Sequence, residues 1–374
     1  MYAALPRCVS LFNPDVVRFA RFRFRYKRRP TAETLVAAFL LVAGLSIATL
    51  IFTGREPVPP SLDSAPGLWK SQISHSTANL LDVTFVDSNN GWIVGSNGTI
   101  LHTSDGGNVW ERQNSNENIE FARVVFVDAA EGWAVGKLGI ILHTSDGGNT
   151  WTRQGDEFTT LRLNLIALAF PDRLNGWAFT ESGSFMLTTN DGGETWNREF
   201  LGYTSNRSDA FFTNTQNGWI IQSGGGLTHT SDGGSTWDSE PGIAERGISI
   251  RASRVFFLDD DHGWIAGSRS KGSSVEFTKF LSDGVVAFTT DGGRTWTRRD
   301  SGTGRFLWDV EFVNALEGWA VGSKGTILYS NDGGETWIPQ FSGINNILRA
   351  IDFSDENNGW AVGNDGSILR YERR

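Results

Sequence analysis

The chain has 374 residues, 44 of them glycine, 15 tryptophan and 25 phenylalanine, and one cysteine. A single cysteine excludes an internal disulfide and any zinc site built on clustered thiolates. The net charge of −9 hides an asymmetry: residues 1–33 carry eight Arg or Lys against Asp15 and Glu33, and the remainder is strongly acidic. An acidic globular part excludes generic nucleic-acid binding, which needs basic surface to displace counterions.

Residues 1–33 read as a basic cytoplasmic segment, ending in "RFARFRFRYKRRP". Residues 34–54, "TLVAAFLLVAGLSIATLIFTG", contain no charge. About 20 apolar residues span a bilayer as a helix, and basic residues before it orient the N-terminus toward the cytoplasm. The expectation is an uncleaved single-pass membrane anchor with the rest on the periplasmic, lumenal or extracellular side. No Cys follows the apolar run, which argues against a lipoprotein, and Arg28-Arg29 is a weak match to a twin-arginine signal because Pro30-Thr31 follows it. Residues 55–67, rich in proline, read as a semi-rigid linker.

Residues 68–374 repeat. Gly-Trp recurs at 91–92, 132–133, 176–177, 218–219, 263–264, 318–319 and 359–360. Seven residues before each Trp stands a Phe: Phe85, Phe126, Phe170, Phe212, Phe257, Phe312 and Phe353. An aliphatic residue lies two before each Phe, so alternation predicts a strand with one buried face. One unit reads as "LLDVTFVD", "GWIVGS", "TILHTS", a DGG turn and "VWERQ". Four short strands in about 40 residues make a propeller blade. The fold class is all-β, a seven-bladed β-propeller.

The turn phrase, S/T/N-D-G-G-x-T-W, occurs six times, at Asp105, Asp146, Asp191, Asp232, Asp291 and Asp332. These are Asp-box turns. The carboxylate accepts backbone N–H groups across the turn, the glycines supply positive φ, and the Trp covers apolar area between blades. Six peripheral copies cannot converge on one substrate, so the role is structural. The seventh unit has no such turn, because its fourth strand is missing. The stretch "GLWKSQISHS" at 67–76 has Trp69 with no blade of its own, and is expected to complete the last blade and close the ring. That leaves only Trp308 outside the pattern.

The unit "F-x-D-x-x-x-GWAVG-x-x-G-x-I-L-x-T-x-DGG-x-TW" resembles the repeats of the photosystem II assembly and stability factor family of cyanobacteria and chloroplasts, over roughly residues 68–371. Asp-box turns occur also in sialidases and other BNR-repeat proteins, and similar domains occur in bacteria with no photosystem. The resemblance implies a seven-bladed propeller on the lumenal side that acts as a scaffold for a membrane-protein precursor, without catalysis; a partner in another envelope complex is the other reading, and no cofactor is expected. An N-terminal anchor replaces the lipoprotein signal common in the cyanobacterial members. The family's use of arginines on one face makes Arg123, Arg254 and Arg349 candidates for partner binding.

The position three before each Phe reads Asp82, Arg123, Ala167, Asp209, Arg254, Asp309 and Ala350 around the ring. Two readings stand: charges that partly satisfy one another, or a polar docking ring at one mouth of the channel for an extended peptide, with Asp82, Asp209 and Asp309 beside the arginines. Blade five carries an insertion, "SRSKGSSVEFTKFLSDG" at 268–284, read as a loop or hairpin of neutral or partner-binding role. The rival class is a sialidase-like hydrolase or glycan-binding protein, which needs paired carboxylates or a Tyr nucleophile. Only Tyr203 and Tyr329 lie within the repeats before the last strand, and no cluster of acids breaks the repeat. His102, His143 and His229 share one repeat position and read as strand residues; with His75 and His262 they form no metal motif.

Overall fold

The computed structural model describes residues 66–374, apart from 203–205, 245–247 and 272–282. The segment at 34–54 lies outside the described residues, and among those described no helix is long and apolar enough to cross a membrane. Seven antiparallel four-stranded sheets form the blades, each strand pairing with the next in the chain. Blade one consists of Leu80–Phe85, Gly91–Gly95, Thr99–Thr103 and Glu111–Asn114. The first strands of neighbouring blades pack against one another around the axis.

The exception to consecutive pairing closes the ring. Gly67–Gln72 pairs antiparallel with Ile368–Arg373, Trp69 opposite Tyr371, as the fourth strand of the seventh blade. Closure removes the sheet edge that blade would otherwise expose.

The repeated aromatic residues weld the blades. Each Gly-Trp ring lies flat on the Phe of the following blade, as Trp92 does on Phe126 at 3.6 Å between centroids and Trp360 on Phe85 at 3.4 Å. The turn Trp then meets that same Phe edge-on: Trp151 on Phe126 at 5.9 Å, Trp110 on Phe85 at 5.9 Å. Trp69 meets Phe353 at 6.0 Å and 88°, so it stands where the seventh turn Trp would be. The glycine before each Trp is required by close approach, since a Cβ on Gly91 would lie 2.3 Å from the Phe85 ring.

The DGG turns behave as their chemistry dictates. Asp146 Oδ1 accepts the Thr150 N–H at 2.8 Å, and Oδ2 accepts the Thr150 hydroxyl at 2.7 Å. These bonds hold the Asp146 carboxyl below its usual range, the Thr150 N–H foremost. Each turn also serves the preceding blade: Trp92 Nε1 and Gln113 Nε2 both donate to the Gly147 carbonyl. The seventh blade has no DGG turn. Trp319 Nε1 and Gln340 Nε2, the donors that such a carbonyl would receive, are buried without partners.

The insertion in blade five is only partly a loop. Strands Ile248–Phe257 and Gly263–Lys271 pair through to Ile248 opposite Lys271, and Asp283–Thr289 continues the ladder, so residues 268–271 and 283–284 are strand. Residues 272–282 lie outside the described residues.

Candidate functional site: the axial channel

Every first strand carries a bulge, near its start in all but the longer first strand of blade five, where it lies mid-strand. In blade one the register passes from Leu80↔Gly95 to Asp82↔Val94 and skips Leu81. The other blades skip Ala122, Ile166, Ser208, Ser253, Trp308 and Arg349. A bulge re-aims one side chain. All seven re-aimed residues line one funnel of about 370 Å³ at the end of the channel. The mouth is therefore built from the bulge residues, and the ring of Asp82, Arg123, Asp209, Arg254 and Asp309 forms a belt one layer below it. This corrects the placement of that ring at the mouth itself.

The belt is self-satisfied. Arg254 reaches across the axis to Asp82 at 2.7 Å, pairs with Asp309 at 2.8 Å, and lies 3.8 Å from Asp209. Burial works against its charge, but Asp309, Asp82 and Asp209 outweigh burial and hold the guanidinium well above its usual range. Arg123 pairs with Asp209 at 3.1 Å. The aspartates have a second duty. First strands have no neighbour on the axial side, so their N–H groups there need acceptors. Asp82 accepts the Val124 N–H at 2.9 Å, Asp209 that of Val255 at 3.2 Å, and Asp309 that of Ile351 at 3.0 Å. Each aspartate staples its blade to the next and is at most 4% exposed. Ala167 and Ala350 are fully buried between blades and line neither space. The belt thus has the geometry of the mutually satisfied ring rather than of an open docking ring.

Arg349 occupies the mouth. Its guanidinium lies 4.2 Å above the Trp308 ring, and Nε donates to Asn364 Oδ1 at 3.0 Å. Burial lowers its pKa, partly countered by Glu120. Trp308, the tryptophan outside the repeat pattern, packs on Phe306 at 4.5 Å, and the exposed Arg251 lies over Phe306 at 5.5 Å. The order Arg251, Phe306, Trp308, Arg349 forms a cation–aromatic ladder along one side of the funnel. Among the described residues neither Arg251 nor Arg349 has a carboxylate within salt-bridge distance. The sequence reading missed Arg251, which lies three residues before Arg254. Its signal is the Arg-x-x-Arg spacing across a bulge.

Below the belt, Glu311 and Asp352 enter a second space of about 180 Å³. Burial first, then Asp352 and Asp309, hold Glu311 well above its usual range. Burial pushes Asp352 up to about 8, against the Phe85 N–H that it accepts at 2.8 Å. These two acids were not singled out from the sequence, because they occupy the unremarkable position one before each Phe. Among the described residues no group of three or more His, Cys, Asp or Glu is placed to hold a metal. His102, His143 and His229 stack on Trp92, Trp133 and Trp219, as strand residues do.

The family described as photosynthesis system II assembly factor YCF48 matches residues 63–157, 154–237 and 299–372, more than half of the chain. The chain belongs to this family. Among curated relatives, the photosystem II assembly lipoprotein Ycf48 of Prochlorococcus marinus (strain MIT 9312) is 51% identical over 45 residues, 12% of this chain and 13% of that protein. The photosystem II assembly protein Ycf48 of Thermosynechococcus vestitus is 44% identical over 48 residues, 13% of each. These matches thus span about an eighth of either relative's length. The solved structure of YCF48 bound to D1 peptide is similar with a TM-score of 0.67 at 24% identity, covering 84% of this chain and 100% of that one. A glycoside hydrolase, the GH74 enzyme of Niastella koreensis, is similar at 0.62 with 16% identity, covering 80% of this chain and 53% of that one. At such identities the structural likeness shows the fold.

Proposed function

We propose that this chain is a non-catalytic assembly factor that docks a segment of a photosystem II membrane-protein precursor at the bulge-lined mouth of its channel. The observation that carries this reading is the ladder of Arg251 and Arg349 on Phe306 and Trp308. It sets two guanidinium groups beside aromatic faces in a funnel within the roughly 300–1,000 Å³ typical of ligand sites. Such a surface suits an extended peptide with a carboxylate and an apolar side chain. Arg123 and Arg254 line the base of the funnel with their charge already paired, because Asp82, Asp209 and Asp309 hold them in place, so the belt supports the funnel floor and, among the described residues, Arg251 and Arg349 supply its unpaired charge.

Residues 34–54 anchor the chain with its N-terminus in the cytoplasm. Residues 55–67 tether the propeller on the opposite side of the membrane, where a precursor's exposed loops and termini would be met. The DGG turns remain structural Asp boxes. The non-catalytic reading is supported by the small size of the space that holds the only two axial carboxyls, among the described residues, with strongly raised pKa values and no cation partner. Glu311 and Asp352 lie under the belt in a space below the size of a sugar site.

The test is fluorescence anisotropy of a labelled D1 peptide with the purified full-length chain. The expected result is saturable binding that weakens at least tenfold in Arg251→Ala/Arg349→Ala, with an unchanged melting midpoint, since each charge-assisted hydrogen bond contributes about 1.5–3 kcal/mol. Equal affinity of the double variant would overturn the mouth as the docking site. Binding of oligosaccharide in place of peptide would favour the glycan-binding alternative.

A further inference from the structure

The lower chamber holds an unbalanced set of charges. Around it stand Thr84, Val125, Phe211, Phe256, Glu311 and Asp352, two residues beyond the belt position. With the belt, the walls carry five carboxyls (Asp82, Asp209, Asp309, Glu311, Asp352) against the guanidiniums of Arg123 and Arg254. Both guanidiniums are taken by belt aspartates. Among the described residues Glu311 and Asp352 have no cation partner. Asp352 accepts the Phe85 N–H, and Glu311 that of Phe353, but Glu311 Oε2 is shut off from solvent without any hydrogen-bond partner. A buried carboxylate lacking a counter-ion costs several kcal/mol, which is why both acids are driven toward their protonated forms.

Beside the acids, Phe211 and Phe256 pack edge-to-face at 5.4 Å. Aromatic faces attract cations most strongly where water is excluded. A divalent metal needs more oxygen ligands than this chamber assembles. A protonated amine needs one or two carboxylates and an apolar wall, and ammonium is small enough for the space.

We infer that the lower chamber binds a protonated amine, with Glu311 and Asp352 as its counter-ions and Phe211 and Phe256 as its walls. The belt carboxylates are already paired with Arg123 and Arg254, so the acids of blades six and seven are the ones left to take the cation. The amine arrives as R–NH3⁺, a neutral carboxyl yields its proton to solvent, and the carboxylate left behind accepts an N–H of the ammonium. Binding is therefore coupled to proton release. Below pH about 8 Asp352 holds its proton, so affinity rises as pH rises and levels off above that value.

The test is calorimetric titration of the purified full-length chain with methylammonium and n-butylammonium chloride at pH 6, 7, 8 and 9, in two buffers of different ionisation enthalpy. The expected result is release of about one proton per amine at pH 6 and 7, falling away by pH 9, with affinity that tightens about tenfold per pH unit up to pH 8. Glu311→Gln/Asp352→Asn is expected to abolish both. The same variant carries its own check of folding. Native acids with raised pKa bind more protons than the unfolded chain between about pH 4 and 8, so wild-type stability falls over that window as pH rises. The double variant is expected to flatten that fall.

A lysine-containing peptide compared with its norleucine twin separates the sources of the amine. Loss of binding on the norleucine change assigns the site to a polypeptide's lysine, and binding of the free amines alone assigns it to a small metabolite. Arg251→Ala/Arg349→Ala is expected to leave amine binding unchanged. Absence of binding by every amine, binding without proton release, or equal binding by the Glu311/Asp352 variant overturns the inference.

Discussion

Ring closure rests on one side chain more than any other, and Trp69→Ala tests it. Trp69 is 8% exposed. Its ring meets Phe353 at 6.0 Å and Tyr371 at 5.4 Å, and Nε1 donates to Gln340 Oε1 at 2.7 Å. Each aromatic pair contributes about 0.5–1.5 kcal/mol beyond area burial, and the hydrogen bond about 1 kcal/mol. Adding the lost burial gives about 3–5 kcal/mol, the range found for Trp→Ala in cores. Leu68 precedes it on the same strand but is 44% exposed. Leu68→Ala should therefore stay within about 0.5 kcal/mol of wild type. Removing residues 66–72 goes further: it strips Trp110 of its partner Gln72 and uncovers the edge of Ile368–Arg373. An uncovered edge strand pairs with other chains. The assay is guanidinium denaturation followed by tryptophan fluorescence, with size-exclusion chromatography beside it. Trp69→Ala should move the midpoint well below Leu68→Ala, and the deletion should self-associate. If Trp69→Ala and Leu68→Ala lie together, and the deletion stays monomeric with its midpoint intact, the closing strand is dispensable and the reasoning fails.

Arg254→Leu should cost about 3–5 kcal/mol, because it leaves Asp82 and Asp309 buried without their cation; adding Asp82→Asn and Asp309→Asn should recover part of the loss in thermal melts. No recovery would show that the belt acts otherwise than by charge pairing. Gly148→Ala should lower stability by more than Gly302→Ala, although both glycines have positive φ, at 85° and 71°. A Cβ on Gly148 would lie 2.0 Å from Gln113 Oε1, whereas nothing stands within 4 Å at Gly302, which leaves only backbone strain of about 1–2 kcal/mol there. Equal melting midpoints would show that the turn gives way around the added methyl.

The repeat made the fold legible. Phe and Gly-Trp recur seven times because every blade seam needs the same flat ring and the same gap for it, and DGG recurs six times because every blade but the seventh uses the same capped turn. Closure was legible from the arithmetic of tryptophans, and a further signal lay in the same residues: Trp69 and Gln72 share the Trp-x-x-Gln spacing of Trp110–Gln113 and Trp151–Gln154. In two of those seams the turn Trp donates to the Gln of the blade before it, Trp110 to Gln72 and Trp151 to Gln113. The mouth was less legible, because a bulge changes which way one residue points without changing the residue types around it. Its trace is a break in parity. Leu80, Val83 and Phe85 are all buried, and a spacing of three between the first two cannot occur in an unbroken alternation. That extra residue moves Arg349 and Trp308 to the rim and drops Arg254 beneath it. The partners of Arg254 could not be read from the chain, because Asp82 is 172 residues away and meets it only across the axis. Substituting Arg254 therefore weakens the scaffold along with any docking, whereas Arg251 and Arg349 can be removed without opening the belt. What every blade shares holds the ring together. Blades five to seven depart from it with Arg251, Phe306, Trp308 and Arg349 above the belt and with Glu311 and Asp352 below it. A partner that must be recognised in one orientation needs such asymmetry, since a ring with seven equal blades would present the same surface seven times.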